Sequence, residues 1–207
     1  MRDTVDRTRR AFWLKHLHRW HWISSAVSLV VLLLFSVTGF TLNHAAQIEA
    51  APRVQRHAAT LPAPLLRQLV APGHKSAPVP AAVAAFVRER TGADIAGRDA
   101  EWSADEVYIS LPRPGGDAWA SIDRETGSVQ YELTDRGWLA WFNDLHKGRN
   151  TGAAWRWFID IFALACVVFA ATGLLLLKMH ARQRGMTWPL VALGFVLPLV
   201  LALLFIH

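Results

Sequence analysis

The chain has 207 residues, of which 53% are hydrophobic and only 18% charged, with ten Trp. This is not the composition of an ordinary soluble domain. The net charge of +6 does not mark a nucleic-acid binder, because Arg2, Arg7, Arg9, Arg10, Lys15 and Arg19 stand directly ahead of the first long apolar run. Basic residues in that place set membrane topology. The single cysteine, Cys166, lies inside an apolar run, so the chain forms no intramolecular disulfide and the thiol reads as inert packing.

In chain order, residues 1–22 form a basic N-terminus and 23–44 a first span, with an uncharged core from Ile23 to Leu42. About 20 helical residues cross a hydrocarbon core. No small-residue cleavage site closely follows that core, where Asn43 and His44 stand instead, so the segment reads as an uncleaved anchor. The positive-inside signal places the N-terminus in the cytoplasm. Residues 45–79 are rich in Pro and Ala and read as an extracytoplasmic connector with one short helical turn.

Residues 80–135 form a small α+β module. Pro80 starts a short amphipathic helix that stops at Gly92. Strands follow around Glu101–Trp102 and over 106–111, 118–123 and 128–133, separated by the turn sequences "RPGGD" and "RETG". Residues 136–152, containing "GWLAWFNDLH", form an interfacial amphipathic helix set off by Gly148 and Gly152. A second span runs over 155–178. A basic cytoplasmic loop over 179–187 with Lys178, Arg182 and Arg184 about it leads to a third span, 188–206, which leaves the C-terminus outside. The fold class expected is an α-helical membrane protein with three transmembrane helices, N-in and C-out, carrying a small α+β extracytoplasmic module.

The two His-bearing segments repeat one plan. Leu17-His18-Arg19, Thr38-Gly39 and His44 in the first correspond to Leu145-His146-Lys147, Thr172-Gly173 and His180 in the second. Consecutive spans run in opposite directions, so the repeat is inverted in the membrane. Helical rise sets His21 and His44 at opposite rims, about 35 Å apart. His44 with His146 then forms an outer pair, and His18 or His21 with His180 an inner one. Paired imidazoles from neighbouring helices are one way to hold a b-type haem; with both axial positions filled, the iron favours electron transfer over oxygen binding. Arg19, Lys147, Arg149 and Arg182 are available for the propionates. Rim histidines and Trp-rich flanks are equally an interface belt, and Thr-Gly equally a helix-packing face.

Twenty-three residues put His44 about 140° around a straight helix from His21. Two haems would therefore need a deformed helix or different faces, the other wall coming from the third span or a second protomer. Asp160, inside the second span, has Arg156 four residues earlier as its expected partner.

A short helix followed by a meander ending in "SIDRETGSVQYE" resembles the PepSY module. With "LHRWHW…TGFTLNHA" and "LHKGRNTG…W…ATGLLLL", most of the chain resembles the PepSY-associated transmembrane helix family, whose better-known relatives have a fourth span and often two PepSY units. The resemblance implies a bacterial inner-membrane protein with its module in the periplasm. It also implies one or two haem b per chain and electron transfer to periplasmic ferric iron or a ferric siderophore. The cytoplasmic segments are too short for a dinucleotide or flavin domain, so the donor is separate, a flavin reductase or a quinol. A homodimer is compatible with this arrangement; nucleic acid is not a partner. The reading from another class is a haem-free anchor whose module restrains a protease or assists a transporter.

Overall fold

A computed structural model describes residues 2–45, 47–48, 51–70, 76–181 and 184–206, with side chains described from residue 8 onward. Helix α1 runs unbroken over Arg2–Asn43, 42 residues. No Gly or Pro occurs before Gly39, so the helix continues without a break through the basic N-terminus. Helix α5 covers Gly152–His180 and α6 covers Thr187–Phe205. Together with Thr8–Asn43, these are three helices long and apolar enough to cross a membrane.

The chain divides into two compact units, one of Met1–Leu34 with Phe158–His207 and one of Phe35–Trp157. The second contains a six-stranded antiparallel sheet in the order β1-β6-β5-β4-β3-β2. Strands β3 (Asp99–Trp102), β4 (Glu106–Ser110), β5 (Gly116–Asp123) and β6 (Ser128–Asp135) form the expected meander. Helix α3, Ala81–Thr91, starts after Pro80 and ends at left-handed Gly92. Its Val83 and Val87 share one core with Ile95, Val107, Ile109, Ile122 and Val129, all fully buried. The period-2 alternation of β4, with Val107 and Ile109 inward, matches a sheet covered on one face.

The connector is more structured than its composition predicts. Residues Arg53–Thr60 form β1, paired with β6 along its whole length, and Ser76–Pro78 form β2 against β3. Between them, Ala63–Leu66 form the short helix α2. Strand β1 is exposed at all but one position, so its sequence carries no alternation to announce it. An edge strand needs only a backbone ladder on one side. Arg56 adds a side-chain bond across that ladder to Glu132, 2.8 Å.

Helix α4, Gly137–Lys147, is the separate amphipathic helix expected, closed by left-handed Gly148. It docks on the hairpin turn of "RPGGD". The Gly115 N–H donates to the Asp144 carboxylate at 2.9 Å, and a Cβ on Gly115 would lie 2.7 Å from that of Trp141. A Cβ on Gly116 would fall 2.0 Å from the Thr134 carbonyl oxygen. Both glycines are therefore fixed by close approach. Arg136, just before α4, forms an ion pair with Asp117 on β5.

The hairpin between β5 and β6 is built by Asp123. Its Oδ1 accepts from the Thr126 N–H (2.7 Å), the Thr126 hydroxyl (2.8 Å) and the Glu125 N–H (3.0 Å). The bonds from Thr126, chiefly its backbone N–H, hold the Asp123 carboxyl below its ordinary value. A depressed folded value contributes stability that is present above the unfolded carboxylate range and disappears as pH falls through the folded one. Asp123→Ala should lower the melting temperature of the full-length protein in detergent at pH 7, and the gap to wild type should narrow by pH 3. An equal gap at both pH values would refute the ionised-acceptor account.

Candidate functional site

In the first unit, His21 of α1 lies against α5. Its Nδ1 is 3.0 Å from the Thr172 hydroxyl and 3.2 Å from the Phe169 carbonyl oxygen. The ring stacks on Phe169 at 4.7 Å between centroids. A Cβ on Gly173 would meet His21 Cε1 at 3.2 Å, so the absent side chain is what lets the ring in. The Thr172 hydroxyl donates to the Val168 carbonyl at 2.7 Å and accepts from the imidazole.

In the second unit, His146 of α4 is held in the same way by the end of α1. Its Nδ1 is 2.6 Å from the Thr38 hydroxyl, and that hydroxyl donates to the Phe35 carbonyl at 3.1 Å. The ring lies against Phe35 at 4.7 Å, and Cε1 would be 3.6 Å from a Cβ on Gly39. Thr41 adds a bond to the Asn143 amide at 3.0 Å. The two seats share one sequence signature, Phe-x-x-Thr-Gly, at 35–39 and 169–173. Each receives a histidine that lies before the other seat in the sequence. The Thr-Gly pairs are visible in the sequence; what the repeat alignment hides is that each seat takes its imidazole from the other half.

The remaining histidines behave differently. His18 and His180 come together with ring centroids 5.9 Å apart, edge to face. Each donates Nδ1–H to a carbonyl of its own helix, His18 to Leu14 at 2.8 Å and His180 to Leu176 at 2.9 Å. His44 does the same to Phe40 at 3.0 Å and lies against the Phe40 ring. A carbonyl only accepts, so the proton of these rings is at Nδ1 and the lone pair at Nε2. Of the expected pairs, the structure brings His18 and His180 into ring contact. His44 and His146 are not in ring contact, because the His146 ring is committed to Thr38 and Phe35.

Among the cationic residues, Arg19 and Lys147 are exposed, and Arg149 is 3.9 Å from Asp144. Arg182 lies outside the described residues. Asp144, beside His146, is spent on the Gly115 turn. The expected Arg156–Asp160 ion pair does not form: Asp160 is exposed on α5, and the described ion pairs lie in the sheet and around α4. Among the described residues no group of three or more His, Cys, Asp or Glu side chains is placed to hold a metal ion. Cys166 is a free, half-buried thiol.

A family model described as "PepSY_TM-like" matches residues 12–207. No curated protein and no solved structure matches the chain.

The two seats differ in clearance, 3.2 Å at Gly173 against 3.6 Å at Gly39. In a helix Gly→Ala gains about 1 kcal/mol of propensity, whereas crowding a packed contact costs about 1–3 kcal/mol. Gly39→Ala should therefore leave thermal stability in detergent unchanged or raised, and Gly173→Ala should lower it. The reverse order would show that His21 is not seated on Gly173.

Proposed function

The chain belongs to the PepSY_TM-like family, and from that premise we propose a bacterial inner-membrane protein that binds haem b and carries electrons to ferric iron or a ferric siderophore. In this reading the N-terminus is cytoplasmic, the PepSY module periplasmic, and the electron donor a separate flavin reductase or quinol.

The observation that carries the proposal is the pair His18 and His180. The two side chains come from different helices and are brought into ring contact, so they are the residues that would hold a haem iron. These rings are 5.9 Å apart. Their Nδ1–H groups are already satisfied by Leu14 and Leu176, which leaves Nε2 as the donor atom and fixes each tautomer, the arrangement that ligating histidines require. These two side chains would offer Nε2 to the iron. In the second unit His44 and His146 are not brought into ring contact: His44 lies against its own Phe40 and His146 against Phe35. The count favoured is one haem per chain.

A six-coordinate haem supplies one-electron transfer without an open site for oxygen. Everything else falls to the protein. The Leu14 and Leu176 carbonyls orient the two rings, and exposed Arg19 offers a guanidinium to propionates. Reduction consumes one electron per ferric ion, and the ferrous product binds hard oxygen donors less tightly. A second reading, the haem-free anchor for a module that restrains a protease or assists a transporter, is favoured by His21 and His146. Both bond across to another helix.

The protein purified in mild detergent should show a low-spin b-type spectrum on dithionite reduction and one haem per chain by pyridine haemochrome. His18→Ala and His180→Ala should each abolish it, and His44→Ala should retain it. A colourless protein that also fails to take up added haem would leave the anchor reading in its place.

A further inference from the structure

Along the line where α1 meets α5, the flank opposite the His18–His180 pair carries a groove of about 500 Å³. Its lining is Arg9, Arg10, Trp13 and Leu17 from α1 with Leu175, Lys178 and Met179 from α5. At 100° per residue, Trp13 and Leu17 are displaced to one side of Arg10 and His18 to the other, so the groove and the imidazole pair are separate places on α1. The groove has an apolar wall continuous with both spans and three cations at its end. Among the described residues no carboxylate lines it.

One of the cations is fixed in position. The Arg10 Nη2–H donates to the Met179 carbonyl oxygen in the last turn of α5, 3.3 Å away. That carbonyl belongs to the helix's C-terminal turn, whose orphan acceptors favour a cation. A guanidinium has five N–H donors, and this bond uses one. Lys178 brings an ammonium to the same end. Beside it, Arg10, Lys178, Met179 and Ala181 continue into a second hollow closed by Trp188, an interfacial aromatic at the start of α6.

We infer that this groove is a binding site for one anionic phospholipid of the surrounding bilayer, its headgroup phosphate between Arg10 and Lys178 and an acyl chain along Leu17 and Leu175. Charge complementarity selects the occupant. An apolar chain alone would leave three cations facing an uncharged group, and a free phosphate would leave the apolar wall unused. A basic pocket between membrane helices beside an apolar surface is the pattern that recognises anionic headgroups. The inference stands apart from the haem proposal, since it uses none of the histidines.

The test is native mass spectrometry of the full-length protein released from nanodiscs of phosphatidylglycerol and phosphatidylcholine in equal amounts. Wild type should retain one phosphatidylglycerol in preference to phosphatidylcholine. Lys178→Gln should reduce that preference, and the Arg10→Gln, Lys178→Gln pair should reduce it roughly tenfold or more, the scale expected for two near-surface cations. Arg19→Gln, on the opposite side of α1, should not change it. Equal retention of the two lipids by wild type would overturn the proposal. So would a double variant that keeps the preference, or an Arg19→Gln loss as large as that of Lys178→Gln, which would reduce the effect to bulk charge.

Discussion

The structure depends on a single kind of contact, an imidazole seated on the Phe-x-x-Thr-Gly face of another helix. Within lipid, apolar side chains gain little by leaving one helix surface for another, so helices associate through close packing and interhelical hydrogen bonds. A half-buried imidazole N–H without an acceptor would be costly there. The threonine resolves this because its hydroxyl donates to its own helix, leaving its lone pairs for the histidine. Glycine one residue on removes the atom that would hold the ring away. Such bonds contribute about 0.6–2 kcal/mol each in membranes. That is modest, yet the geometry of threonine, glycine and phenylalanine together admits one ring in one orientation.

In the second unit this contact has a structural consequence for α4. Asn143 and His146 bond to Thr41 and Thr38 at the end of α1, whereas Trp141 and Asp144 face the Gly115–Gly116 turn of the sheet. At 100° per residue these two sets lie on different sides of the same short helix. Helix α4 is thus bonded laterally in two directions by polar groups, not by an apolar stripe alone. The Trp155 indole N–H adds a third hold by donating to the Leu145 carbonyl, 2.9 Å away.

Much of this was legible in the sequence, for physical reasons that differ by element. The three apolar helices follow from uninterrupted hydropathy, and α3 from Pro80 and Gly92 at its ends. The meander follows from β-branched alternation broken by glycine turns. Strand β1 was not legible, because an exposed edge strand satisfies only a backbone ladder and places no demand on its side chains. The change of polarity near residue 22 does not interrupt α1, because helices end where backbone geometry changes and Arg19 to Ile23 contains nothing that changes it. At the site, the candidate histidines were visible by position, but their partners were not. Thr-Gly reads as a packing face, and only the fold shows which imidazole it receives.

The two halves of the repeat also separate two roles that the sequence merges. Each half has one seated histidine, His21 or His146. The first half carries another imidazole, His18, three residues before its seated one, on a neighbouring flank of α1 and facing His180. The second half has no such residue near His146, and His44, at the corresponding end of α1, turns back on its own Phe40. A histidine whose Nδ1–H is satisfied within its own helix keeps its ring outward and its Nε2 lone pair unspent. A histidine bonded through Nδ1 to another helix ties that helix to its own. The seat occurs in both units, whereas the His18–His180 ring contact belongs to the first.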